Sequence, residues 1–68
     1  MSLSYNKLRA LMKENKMNQK DLAAAAEIST NTVTKLGKDE TVSLDVLMRI
    51  CKVFHCDIGD IMEIIEND

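Results

Sequence analysis

The chain has no proline and no tryptophan, and its 68 residues include only two glycines, two cysteines, one tyrosine and one phenylalanine. With so few aromatic residues, a core has to be built from leucine, isoleucine, valine, methionine and alanine. Hydrophobic residues make up 46% of the chain, which favours a packed domain over disorder. The missing proline fits a helical domain, and the length leaves room for one domain over residues 1–68.

The sequence lacks the signatures of several functional classes of protein. No apolar run approaches the roughly 18 residues that span a membrane, and the N-terminus has no signal-peptide pattern, so we expect a cytoplasmic protein without a membrane partner. Because Gly37 and Gly59 are the only glycines, no glycine-rich phosphate loop is present. A single histidine, His55, gives no basis for a Ser-His-acid triad. We therefore expect no enzymatic activity, no cofactor and no small-molecule ligand.

The residue types that hold metals do not have the spacing of a metal site. Cys51, His55 and Cys56 lie within six residues, which is not zinc-site spacing, and the cysteines are interpreted as reduced, half-buried side chains. Three acids that begin at Asp57 recur every third residue and would hold a cation only weakly. Helix capping explains them better, so no metal is expected.

Acidic and basic residues are distributed unevenly, although the net charge is only −2. Residues 1–38 carry seven Lys and Arg against three Asp and Glu, a net charge of +4. Residues 39–68 carry two against eight, a net charge of −6. The local charge sets the field at a binding face, so the basic half is compatible with nucleic acid. Ordinary asymmetry of solvated helix faces is the alternative interpretation.

One recurring pattern predicts five helices. In this pattern a polar N-cap residue has an apolar residue directly before it and another apolar residue four positions after it. The N-cap side chain accepts a backbone N–H of the first turn, and the two apolar residues pack against each other as a hydrophobic staple. Val42, Leu44 and Val46 alternate as in a strand, but the longer set from Leu44 to Phe54 has helical spacing. Gly37 is expected as a left-handed residue that ends the third helix. The five predicted helices span about residues 5–15, 19–26, 30–36, 44–54 and 58–65, with N-caps at Ser4, Asn18, Ser29, Ser43 and Asp57.

The second and third predicted helices suit a helix-turn-helix, because only a tight turn at Glu27 and Ile28 separates them. Ala23 falls where the two helices would cross, and Val33 and Leu36 would anchor the third helix on the core. The remaining positions of that helix face outward and can bond to base edges or phosphates. These outward residues are Thr30, Asn31, Thr34 and Lys35.

The chain resembles the phage-repressor helix-turn-helix family, the lambda-repressor-like or Cro/XRE-type regulators, over most of its length, from Tyr5 to Ile65. The matching residues are Gln19, Leu22, Ala23, Ile28, Ser29, Val33 and Leu36, followed by Ser43, Leu44, Leu47, Ile50, Cys51 and Phe54. The resemblance implies an all-α, five-helix lambda-repressor-like domain of bacterial or phage origin. It also implies binding to double-stranded DNA, usually as a homodimer on a palindromic operator.

The same resemblance implies roles for individual residues. The start of the third helix would read bases, Gln19 would contact phosphate and buttress that helix, and Lys38 would meet backbone phosphate. An unusually wide apolar surface on the predicted fifth helix suggests the dimer interface at Met62, Ile64 and Ile65. The expected DNA-binding residues are Gln19, Ser29, Thr30, Asn31, Thr34, Lys35 and Lys38.

Glu27 departs from the family pattern, which often has glycine in this turn. The position commonly adopts a left-handed conformation, where a residue with a side chain costs about 1 kcal/mol. An acid beside the DNA face would also weaken phosphate contacts. Glu27 and the acidic second half of the chain motivate a second hypothesis: an antitoxin-like or regulatory interaction module that kept the fold without strong DNA binding.

Overall fold

The computed structural model describes residues 1–66 as a mostly helical fold with one small sheet. The second helix packs against the third and the fourth, and the two strands pair with each other. None of the described helices has the length and apolar character needed to cross a membrane. The elements in chain order are β1 (Ser2–Ser4), α1 (Asn6–Glu14), α2 (Gln19–Ala26), α3 (Thr30–Gly37), α4 (Leu44–Phe54), a 3₁₀ turn (Ile58–Asp60) and β2 (Glu63–Ile65).

The prediction of a fifth α-helix over residues 58–65 is wrong. Only Ile58–Asp60 is helical, as a single 3₁₀ turn, and the chain then continues into the extended strand β2. β2 pairs antiparallel with β1, and Ile64 lies opposite Leu3. The Ile61 carbonyl accepts the backbone N–H of Leu8 at 3.2 Å, so it satisfies a donor at the start of α1 instead of continuing a helix. The β-branched residues that follow suit a strand.

Side-chain caps begin the three central helices as predicted. The side chains of Asn18, Ser29 and Ser43 each accept the backbone N–H of the residue three positions later, at 2.8 to 3.3 Å. The first helix differs from its prediction, because Ser4 lies buried in β1 and α1 begins at Asn6. Ser4 still contributes to that helix start, since its hydroxyl accepts the Asn6 N–H at 3.2 Å.

All four α-helices end in the same backbone motif. After each helix a residue other than glycine adopts a left-handed conformation, and the next backbone N–H reaches back five residues to a carbonyl at 2.9 to 3.0 Å. This is the Schellman motif, which an apolar contact between the side chains of the two bonded positions frequently accompanies. The left-handed residues are Lys16, Glu27, Asp39 and His55, and the bonded pairs are Met17 to Met12, Ile28 to Ala23, Glu40 to Lys35, and Cys56 to Cys51.

The expectation that Gly37 supplies the left-handed end of α3 is wrong. Gly37 is the last helical residue, and neither glycine has a positive φ. The left-handed position falls two residues later, at Asp39, with a φ of 56°. Asp39 can occupy it because its carboxylate makes contacts that a glycine would lack, as described below.

A compact set of aliphatic side chains forms the core, together with the single tyrosine. Alanines on α2 keep the contact with the neighbouring helices close, and Ile61 from the C-terminal segment is fully buried among them. The strand pairing joins the two ends of the described chain to each other, and the Ile61 carbonyl bonds to Leu8 on α1. The buried core residues are Tyr5, Leu8, Leu22, Ala23, Ala26, Val33, Leu36, Leu47, Ile50 and Ile61.

Candidate nucleic-acid interface

Helices α2 and α3 meet around small and branched side chains. Ala23 and Ala26 on α2 are buried, and so are Val33 and Leu36 on α3. The turn between the helices passes through Glu27, which has a φ of 57° and a ψ of 46°, and α3 then starts on the Ser29 cap. Because one face of α3 is fixed on the core, its opposite face points outward as a rigid unit.

All seven residues predicted to bind DNA have exposed side chains, but their polar groups are not equally free. The Ser29 hydroxyl caps α3, and the Thr34 hydroxyl donates to the Thr30 carbonyl at 3.0 Å. Asn31 and Lys35 make no side-chain hydrogen bond or ion pair with any other residue in 1–66. The amide of Asn31, the ammonium of Lys35 and the hydroxyl of Thr30, whose carbonyl alone is bonded, therefore remain available to a ligand.

Gln19 lies against the far end of α3. Its Nε2 atom is 3.7 Å from the point that a Cβ on Gly37 would occupy, which is ordinary van der Waals contact. Both residues line a narrow cavity of about 70 Å³ between α1, α2 and α3. The start of α2 and the end of α3, where Lys38 follows, are thus brought together at one end of the helix-turn-helix.

A polar network that sequence reasoning missed joins the start of α1 to the end of α3. Arg9 donates to the Leu36 carbonyl at 3.3 Å and forms an ion pair with Asp39 at 3.2 Å. The Asp39 carboxylate also accepts the backbone N–H of Tyr5 at 3.0 Å, while the Tyr5 hydroxyl donates to the Glu40 carbonyl at 2.9 Å. No local pattern could reveal these contacts, because the partners lie 27 to 35 residues apart.

The environment of this network lowers the pKa of the Asp39 carboxyl and raises the pKa of the Tyr5 phenol. The hydrogen bond from the Tyr5 backbone, followed by the Arg9 guanidinium, lowers the pKa of the Asp39 carboxyl. Burial, with a smaller contribution from the Asp39 charge, raises the pKa of the Tyr5 phenol. At neutral pH the carboxylate is therefore charged and the phenol is protonated, which is the state that these hydrogen bonds require.

Lysines without a carboxylate partner are concentrated in and beside the helix-turn-helix. Within residues 1–66 the ion pairs use the arginines: Arg9 with Asp39, and Arg49 with Asp45 and Glu27. The ammonium group of Lys7 donates instead to the Gly59 carbonyl. The lysines in residues 13–38 that keep an unpaired charge in the described part of the chain are Lys13, Lys16, Lys20, Lys35 and Lys38.

Glu27 has the left-handed conformation that the sequence predicted. Its carboxylate lies 3.8 Å from the guanidinium of Arg49, which also bonds to Asp45 at 3.0 Å. These residues line an open groove between the end of α2 and α4. The Glu27 side chain is 83% exposed, so the pair contributes little to stability, but it offsets part of the negative charge from the α4 side.

Comparison with known proteins identifies the domain. Residues 7–67 match the family model described as the Cro/C1-type HTH DNA-binding domain. The chain belongs to the Cro/C1-type helix-turn-helix family. Among solved structures it is similar to the "Crystal structure of transcriptional regulator VanUg, Form II", with 47% identity over 91% of this chain and 83% of that chain and a TM-score of 0.84. No curated protein sequence matches the chain.

The resemblance to phage-repressor-type regulators is thereby confirmed at the level of the family. In this Cro/C1-type domain, α2 and α3 form the helix-turn-helix. The residues predicted to form a dimer interface lie in and next to β2, where Met62 is half-buried and Ile64 and Ile65 are exposed. Which residues contact DNA, and whether two copies associate, stay predictions.

Proposed function

We propose that the protein is a sequence-specific transcriptional regulator that inserts α3 into the major groove of DNA. The observation that carries this proposal is the combination on α3 of a core-anchored face, Val33 and Leu36, with the unengaged side chains of Asn31 and Lys35 opposite. Unpaired lysines on the adjoining helices supply the positive field that such a complex needs. A regulator of this kind acts where the DNA is, so a cytoplasmic location remains our prediction.

The chemistry of α3 suggests how the contacts divide between bases and backbone. The Asn31 amide can bond to adenine in a bidentate manner, and Lys35 suits guanine or a phosphate. Because the Thr34 hydroxyl is already donating within the helix, its methyl group is the better candidate for contact with a thymine methyl. Gln19 and Lys38, at the opposite end of the motif, are proposed to hold phosphates and fix the register of the domain on the duplex.

Paired substitutions test this division of roles by fluorescence-anisotropy titration against a preferred site and its single-base variants. Asn31→Ala is expected to lose about 1–3 kcal/mol of discrimination at one base position. Lys38→Ala should weaken all sequences alike and reduce the salt slope by about 1. Lys52→Ala is the matched control, since it removes a lysine from the groove beside Glu27. Equal losses from Lys38→Ala and Lys52→Ala would contradict the assignment.

We further propose that two copies associate through β2 and bind a palindromic operator. β2 lies next to β1 on one side, and in residues 1–66 no strand covers its other edge. An open edge with apolar side chains favours pairing with a second strand. Ile64 and Ile65 are 58% and 37% exposed and would be covered in this way. A two-fold dimer on operator DNA would place the copies of α3 about 34 Å apart.

Sedimentation at micromolar concentration, with and without DNA, tests the dimer. Ile64→Lys should give a monomer, because a charge would enter the proposed contact. Met48→Lys is the matched control, since Met48 on α4 is 60% exposed and equally apolar. A wild-type protein that stays monomeric on its preferred DNA would refute the dimer. If Met48→Lys gives a monomer and Ile64→Lys does not, the interface lies on α4 and not on β2.

The competing proposal, an interaction module with little DNA binding, draws on the exposed Leu44 and Met48 on α4. The unpaired lysines between residues 13 and 38 favour DNA over this alternative, because an interaction module has no need of a positive face around α3. Absence of sequence preference in the titration, even at low salt, would favour the interaction module instead.

A further inference from the structure

Cys51 and Cys56 occupy the two positions that the Schellman motif at the end of α4 brings together. His55 takes the left-handed conformation with a φ of 53°, and the Cys56 N–H donates to the Cys51 carbonyl at 3.0 Å. An apolar contact between the side chains at these two positions frequently accompanies the motif. The corresponding pair after α1 is Met12 and Met17, two apolar residues that are packed against the core. After α4 the two positions carry thiols.

Both cysteines are free and half-buried. Burial first, and then the neighbouring Cys56 thiol, raises the pKa of the Cys51 thiol. Partial exposure leaves both sulfur atoms within reach of a small oxidant, whereas a fully buried cysteine would be inert. No group of three metal-binding side chains is assembled in residues 1–66, so the pair is not part of a recognisable metal site.

We propose that Cys51 and Cys56 form a redox-modification site that closes to an intramolecular disulfide in the presence of a small peroxide. We assign the first step to Cys56, because burial raises the pKa of the Cys51 thiol and so disfavours its thiolate. The Cys56 thiolate attacks one oxygen of hydrogen peroxide and the O–O bond breaks, which gives a sulfenic acid. The released hydroxide takes up a proton, equivalent to the one that the Cys56 thiol lost on ionising, and leaves as water.

Cys51 then completes the reaction. Its sulfur attacks the sulfenic sulfur of Cys56, the S–O bond breaks, and a second water leaves with the Cys51 proton. The two thiols together lose two electrons and two hydrogens, and one peroxide is reduced to two waters. A thiol reductant reverses the reaction by thiol–disulfide exchange.

Closure would covalently fasten the end of α4 to the segment that carries Ile61 and β2. Ile61 is fully buried, and its carbonyl bonds to the start of α1. The disulfide would therefore fix the turn at His55 through which the C-terminal segment reaches its place on α1. The proposed site lies outside the helix-turn-helix, and its test does not depend on DNA binding.

The experiment treats the folded protein with hydrogen peroxide and measures intact mass, alkylation by iodoacetamide and far-UV circular dichroism. We expect the mass to fall by two hydrogens, both cysteines to become resistant to alkylation together, dithiothreitol to reverse both changes, and the helical spectrum to persist. The disulfide should form more slowly in urea, because urea unfolds the turn that holds the two cysteines together. Cys51→Ser and Cys56→Ser are the controls, and neither should give the two-hydrogen loss.

Three outcomes would overturn the proposal. One is sulfinic acid on a single cysteine while the other is still alkylated. Another is oxidation that yields only disulfides between molecules, or none at all. The third is a disulfide that forms faster in urea or abolishes the helical spectrum, because the folded turn would then oppose closure instead of promoting it.

Discussion

At the scale of single residues, the four left-handed positions are the places where the backbone is strained. Lys16, Glu27, Asp39 and His55 all have φ between 53° and 57°, where a Cβ is unfavourable. Asp39 gains hydrogen bonds that offset this strain. The Glu27 side chain gains a long, exposed ion pair with Arg49, which also donates to the Glu27 backbone carbonyl at 3.4 Å, a bond that glycine would keep. The strain at Glu27 should therefore be the easiest of these to relieve.

Replacing Glu27 by glycine should stabilise the protein. We expect the free energy of unfolding to rise by about 1 kcal/mol, because glycine adopts this conformation without steric cost. Urea denaturation followed by circular dichroism measures the change. Glu27→Ala is the control that removes the carboxylate and keeps the Cβ, and it should give no such gain. Equal stabilisation by both variants would show that the charge, and not the backbone, is the source of strain.

At the scale of elements, the sequence predicted the start of α3 correctly and misplaced the left-handed residue at its end. Its start was predictable because Ser29 is a local cap that bonds three residues ahead. Its end was not, because the left-handed residue is Asp39, whose partners are Arg9 on α1 and Tyr5 immediately before that helix. Gly37 is left in an ordinary helical conformation, where glycine only lowers stability.

Gly37→Ala should therefore stabilise α3. A Cβ here would lie 3.7 Å from Gln19 Nε2, an ordinary contact, so no neighbour has to move. Alanine is the better helix former, and we expect the free energy of unfolding to rise by about 0.5–1 kcal/mol. Gly59→Ala, outside the α-helices, serves as the comparison. A loss of stability in Gly37→Ala would mean that α3 and Gln19 are packed more tightly than the distance indicates.

The junction of α1 with α3 predicts a pH dependence. The pKa of Asp39 is lowered in the folded state, so its contribution to stability is present above about pH 4, where the unfolded carboxyl is ionised. The contribution is lost as the pH falls through the lower, folded-state pKa. Urea midpoints measured from pH 7 down to pH 2 should fall less in Asp39→Asn than in the wild type. Parallel curves would contradict the role assigned to this carboxylate.

The C-terminal segment marks the limit of the sequence-based fold prediction. Isoleucines from Ile58 to Ile65 recur at spacings that fit a helix as well as other structures. The secondary structure that they adopt depends on partners at the opposite end of the chain, since the Ile61 carbonyl bonds to Leu8 and β2 pairs with β1. Caps and apolar periodicity report local preference, and they cannot report pairing between residues more than fifty positions apart.

At the scale of the whole molecule, the structure divides the basic residues between ion pairs and free charges. The arginines are committed to ion pairs with Asp39, Asp45 and Glu27, while lysines near the helix-turn-helix remain unpaired. The outward face of α3 was predictable, because helical periodicity separates Val33 and Leu36 from the other positions. The network that holds the end of α3 was not predictable, since Arg9 and Asp39 are 30 residues apart.

Selection of bound sites from a random DNA pool, followed by sequencing, shows whether α3 reads a DNA sequence. We expect one enriched motif, arranged as two inverted half-sites with centres about one helical turn apart. The same selection with Asn31→Ala should lose preference at one position of each half-site. A motif without inverted symmetry would contradict the dimer alone. If no motif is enriched even at low salt, α3 does not read sequence and the proposed function is wrong.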